Sequence, residues 1–96
     1  MRHRPRREIA VWIKREDYDA FKSLCANDPD LPDTFDEWLQ RATEHAAKTE
    51  ARGDTIDKVI VDPQEFAKWC LAAGVDRNNV TLSGFAVAIA RRQKKI

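Results

Sequence analysis

The phrase "WIKREDYDAF", Trp12 to Phe21, returns as "IVDPQEFAKW", Ile60 to Trp69. Each copy closes an apolar stretch, crosses four positions without a large apolar side chain, and then sets two aromatics three residues apart. Written twice within 96 residues, this pattern points to two similar units. Neither is large enough to bury its apolar face alone, so each completes the other's core.

In the first copy, "EIAVWI" alternates around Ile9, Val11 and Ile13 with the period of a half-buried strand. Tyr18, Phe21, Leu24 and Cys25 then recur at helical spacing. "NDPDLPD" (27–33) ends that helix, because Pro29 and Pro32 cannot continue it and Asn and Asp favour turns. Thr34-Phe35-Asp36-Glu37 reads as a capping box opening a second helix with Phe35, Trp38, Leu39, Ala42 and Ala46 on one face. That helix is expected to reach Arg52, with Gly53 as a left-handed cap. In the second copy, Val59 and Val61 mark a strand. Asp62-Pro63-Gln64-Glu65 is a strong helix start, and Phe66, Trp69, Cys70 and Ala73 form the stripe that Gly74 stops. After "VDRNN", Thr81 is the expected cap of a last helix, "LSGFAVAIARR", apolar nearly all round and so deeply buried. Gly84 in that helix permits a close backbone approach at some cost in helix stability.

The expected fold is therefore α+β and mostly helical: a tandem β-α-α repeat (β-α-α-β-α-α) with a two-stranded ribbon and four helices. Residues 8–92 form one domain of two units, about 8–52 and 56–92. Residues 1–7 and 93–96 form basic tails.

Strand, helix, helix in this order resembles the ribbon-helix-helix family of DNA-binding proteins, of the Arc and Met repressor type. The resemblance covers roughly residues 7 to 92 and rests on element order and apolar pattern. It implies a single-chain version of the family's dimer, with antiparallel strands and the Gly53-Asp54-Thr55 connection between the units. It also implies that outward-facing strand side chains enter the major groove and that phosphates sit at the second helix of each unit.

The side chains in those places are mixed. The outer strand faces would carry Glu8, Ala10, Trp12 and Lys14, then Lys58, Ile60 and Asp62. Base edges want Arg, Lys, Asn, Gln or Thr. Trp12 and Ile60 suit a protein contact, or a second layer covering them, better than a groove. At the first phosphate position Asp28, Asp30, Asp33, Asp36 and Glu37 would repel an anion. At the second, Arg77, Asn79 and their neighbours would accept one.

Charge is segregated although the net is +1. Residues 1–15 are basic, 16–37 strongly acidic and 91–96 basic. Arg2, Arg4, Arg6 and Arg7, then Lys14 and Arg15, then Arg91 and Arg92 are the candidate nucleic-acid contacts, with Lys58, Arg77 and Asn79. The basic segments hold no interleaved aromatics, so no stacking platform for single strands is indicated.

Little here suggests catalysis. His3 and His45 are isolated, Ser23 and Ser83 have no histidine partner, and the three glycines are too dispersed for a phosphate loop. "DPDLPD" lacks the glycine and terminal Glu of a calcium loop. Cys25 and Cys70 form no metal-ligand spacing and read as reduced core thiols, with a disulfide or redox pair as the alternative. No enzyme activity, metal, cofactor or small-molecule substrate is expected. No apolar run approaches a membrane span and "EIAVWI" is too short for a signal peptide, so the cytoplasm is the expected location. The expected function is a small non-enzymatic interaction module (a regulator, adaptor or inhibitor). Its partner, another protein or a second copy, would be met through Trp12, Ile60 and the acidic 28–37 edge. DNA is the alternative partner.

Overall fold

The computed structural model describes residues 5–93, so Arg2, His3 and Arg4 and the last three residues of the C-terminal tail lie outside the described residues. The fold is α+β: β1 (Arg7–Trp12), a 3-10 turn (Arg15–Asp17), α1 (Tyr18–Leu24), α2 (Phe35–Ala51), β2 (Thr55–Ile60), α3 (Pro63–Ala73) and α4 (Asn79–Gln93). Two residues expected in the N-terminal tail join the sheet. Arg7 opens β1, and Arg6 donates its N–H to Asp54 Oδ1 at 3.0 Å and accepts at its carbonyl from Thr55 N–H.

The strands pair in parallel, which overturns the expected antiparallel ribbon. Arg7 lies beside Thr55, Val11 beside Val59 and Trp12 beside Ile60. The cause is the path between them. Trp38, near the start of α2, packs on Trp12, with ring centroids 5.4 Å apart. Two turns later His45 meets the Glu8 carboxylate, and just past the helix Asp54 meets Arg6. A 17-residue α2 is about 25 Å long, so it runs back along β1 and delivers β2 at β1's own starting end. Parallel strands need a crossover of this kind, and two bare hairpin-linked strands could not supply it.

Both faces of the pair are consequently in use, as is usual for parallel strands. One face presents Ile9, Val11, Ile13, Val59 and Val61 to a core that includes Tyr18, Phe21, Phe66, Leu82, Phe85 and Ala86. There Phe66 sits between Phe21 and Phe85, at centroid distances of 5.9 and 5.7 Å. The other face, expected to look outward, carries Glu8 and Trp12 under α2. Trp12 is thus part of a second layer, with Trp38 in edge contact and Lys58 Nζ 4.4 Å from its ring centroid.

The caps form largely as local chemistry requires. Thr34 Oγ1 accepts from Glu37 N–H at 3.2 Å, and Asp62 Oδ2 accepts from Glu65 N–H at 2.9 Å. Gly53 and Gly74 take positive φ, 91° and 68°, after α2 and α3. The start of α4 differs from expectation. Asn78 is its cap, with Oδ1 accepting from Thr81 N–H at 2.9 Å, while Thr81 Oγ1 accepts from Asn78 N–H at 2.9 Å. Either side chain satisfies the reciprocal pattern, and the asparagine lets α4 begin at Asn79.

Gly84 allows no close backbone approach. It is exposed, and a Cβ placed there would meet only Trp69 Cη2 at an ordinary 3.7 Å. Gly84→Ala is therefore expected to stabilise the fold by about 0.5–1 kcal/mol, the helix-propensity difference, read as a higher urea midpoint at unchanged slope.

Candidate interaction surfaces

The structure separates the residues that the sequence groups together. Trp12 and Ile60 are register neighbours on one sheet face, but only Ile60 is open to solvent, at 58% exposure. The acidic break divides in two. Asp33, Asp36 and Glu37 surround the start of α2, where each has a local partner: Lys22 Nζ at 3.5 Å, Arg15 at 2.9 Å and the Thr34 cap. Asp28 and Asp30 lie elsewhere, on the wall of a groove between the 26–30 loop and the α3–α4 turn.

Asp28 accounts for the anion position expected at α4. Its Oδ2 accepts from Asn79 N–H at 2.5 Å, and its Oδ1 from Asp30 N–H at 2.9 Å. A carboxylate of the chain itself thus answers the free N–H groups and the dipole of α4's first turn. Arg77 is exposed beside it, with no phosphate position left vacant at Asn79.

The basic candidates among the described residues share no single face. Arg6 and Arg7 begin β1 while Lys14 and Arg15 follow its end, about 20 Å away along six residues of strand. Arg7 pairs with Asp57 across the register. Arg15 bonds Asp36 and lies 4.6 Å from the Phe35 ring centroid. Lys58 is occupied on Trp12. Arg91 and Arg92 are exposed at the far end of α4 from Arg77 and Asn79.

The groove beside Asp28 has a volume of about 720 Å³. Its floor and rim carry Leu24, Ala67, Leu71, Val75 and Val80, with Asp28, Asp30 and Asp76 against a single cation, Arg77. Leu71 is 85% exposed and Val80 78%. These residues were not among the sequence candidates, yet a signal exists. Leu71 follows Cys70 and so falls about 100° around the helix from the Phe66–Cys70 stripe. Val75 and Val80 flank the polar "DRNN" turn.

Cys25 and Cys70 are both free and buried in the core, and Cys70 also lines this groove. Burial pushes the Cys25 thiol up from its ordinary value, and the Asp28 carboxylate adds to the effect. Burial also raises Cys70, with Thr81 and Arg77 pulling the other way. Thiols held neutral and covered are poor nucleophiles and poor metal ligands. Among the described residues, no group of three or more His, Cys, Asp or Glu side chains is placed to hold a metal ion, and no helix is long and apolar enough to cross a membrane. No protein-family model matches the chain, and no match was found to a curated protein or to a solved structure.

Proposed function

We propose that the protein is a small non-enzymatic interaction module, a regulator, adaptor or inhibitor, whose contact surface is the groove between the 26–30 loop and the α3–α4 turn. The observation that carries this reading is the open apolar trio Leu71, Val75 and Val80 at the edge of that groove. Grouped apolar exposure of this kind on a small fold marks sites of association. The acidic majority on the rim selects the partner's chemistry: a protein segment with apolar side chains on one face and basic residues flanking them. Of the sequence candidates for protein contact, Asp28 and Asp30 belong to this surface, and Arg77 and Asn79, candidates for nucleic acid, line it too.

The tandem organisation belongs to the same proposal. Strand partners are offset by 48 positions, as in Trp12 with Ile60, and the repeated phrase carries the same offset. Two reduced thiols favour a reducing compartment such as the cytoplasm.

The test is affinity capture with the wild-type chain and with Leu71→Ser/Val80→Ser, a pair that leaves the charge unchanged and the core intact. A partner held by the wild type and bound roughly tenfold or more weakly by the variant is the expected result. Its retention is expected to fall with added salt. Equal retention of every protein by the two chains would remove the groove from this reading.

A further inference from the structure

The open edge of β1 is the second unpartnered feature of the molecule, and it is independent of the groove at Leu71. Two bonds fix which way the strand's backbone groups point: Thr55 N–H donates to Arg6 carbonyl at 2.8 Å, and Val61 N–H to Trp12 carbonyl at 3.2 Å. In a parallel pair the N–H and C=O of one residue point to the same side, and successive residues alternate. Arg6, Glu8, Ala10 and Trp12 therefore spend their backbone groups on β2. Arg7, Ile9 and Val11 direct theirs away from it. No described residue bonds the backbone of Ile9 or Val11. Strand edges are ordinarily protected by lysine, proline or a covering loop, yet the run from Ile9 to Trp12 holds no charge, Pro or Gly. This edge borders a groove of about 380 Å³ with apolar walls at Trp12, Leu31, Trp38 and Ala46.

We propose that a second copy of this chain occupies the edge, its β1 pairing antiparallel with the first about a two-fold axis at Ala10. Three features of β1 fit that register. Ile9 stands opposite Val11 of the second copy, and Val11 opposite its Ile9, so the orphan groups exchange four backbone hydrogen bonds. The two Ala10 residues meet on the axis as a non-hydrogen-bonded pair, where side chains approach most closely and alanine is small enough to fit. Glu8, whose carboxylate also meets His45 of its own chain, stands opposite Trp12 of the second copy, whose ring carries Lys58, so each carboxylate faces an ammonium as well, twice by symmetry. The product is a four-stranded sheet, β2-β1-β1-β2, with both lone edges of β1 consumed. A C2 contact of this kind is self-complementary and closes without leading to a fibre.

The test is sedimentation equilibrium of the full chain over a wide concentration range, with amide exchange at Ile9 and Val11 followed alongside. A mass rising from 11.1 kDa to twice that, with both amides protected only where the dimer is populated, is the expected result. Ile9→Pro removes an outward donor that bonds nothing within the chain, and it is expected to hold the mass at the monomer value. Glu8→Lys and Lys58→Glu are each expected to weaken the dimer roughly three- to tenfold, and the double exchange to restore it. The swap carries the test should the proline variant unfold. A monomer at every concentration overturns the proposal. So does a dimer whose Ile9 and Val11 amides exchange freely, or one that responds only to Leu71→Ser/Val80→Ser.

Discussion

Phe66→Ala is expected to cost about 3–5 kcal/mol of folding stability, against about 0.5 kcal/mol or less for Leu71→Ala five residues along the same helix. Phe66 is 0% exposed and its ring lies between those of Phe21 and Phe85, so it joins α3 to α1 and to α4 at one point. Truncation removes the ring from both packing contacts at once and leaves a cavity that the surrounding core relaxes only partly to fill. A domain of this size has about 5–14 kcal/mol in total, so the loss is a large fraction of it. Urea unfolding of the two variants reads the contrast directly, as a drop in midpoint at unchanged slope for Phe66→Ala and no shift for Leu71→Ala. A loss under about 1 kcal/mol at Phe66 would mean that the three helices do not meet there. A comparable loss at Leu71 would mean that its side chain is covered in the folded chain, and the proposed contact surface would go with it.

The contrast between those neighbours shows what was legible in the sequence. Phe66, Trp69 and Cys70 fall on one stripe and Leu71 off it, so the buried side of α3 follows from a period of 3.6. Caps were legible for the same reason: Thr34 and Asp62 act on backbone N–H groups three residues away, and Gly53 and Gly74 act on the turns they occupy. Strand direction was not. A period of two assigns faces but is identical for parallel and antiparallel neighbours, and here α2 decides by returning along β1. The same helix places Trp12 in a second layer rather than on a free outer face. Asp28 shows the limit at the candidate surface. Among five carboxylates near a break it reads as part of one acidic contact edge, and only the fold sets it against Asn79, 51 residues on, where it accepts from the first N–H of α4.

The break itself hangs on Tyr18, and that contact sets an alkaline limit on the fold. Tyr18 is 1% exposed, and its hydroxyl donates to the Pro32 carbonyl, while Lys22 Nζ donates to the Leu31 carbonyl at 3.2 Å next to it. Only a neutral phenol can donate that bond. Burial first, then the charges of Glu37 and Asp33, push the phenol up from 10.0 to about 12. The folded chain therefore holds the proton more tightly than the unfolded chain does. The stability this represents is present in full below pH 10 and is lost as pH climbs toward 12. Two units correspond to about 2–3 kcal/mol at roughly 1.4 kcal/mol per unit. Tyr18→Phe is expected to be less stable near neutrality by about 1–2 kcal/mol, since it deletes the donor to a buried carbonyl. It is also expected to lack most of the alkaline decline, so the two stability curves converge between pH 10 and 12. The chain has one tyrosine, so phenolate absorbance titrates this group alone and checks the shift independently of unfolding. A phenol ionising near 10 with parallel curves for the two chains would show the loop free of α1. A high, cooperative ionisation that tracks unfolding would show Tyr18 holding the 27–33 break in place, and with it the Asp28 carboxylate that shapes the groove.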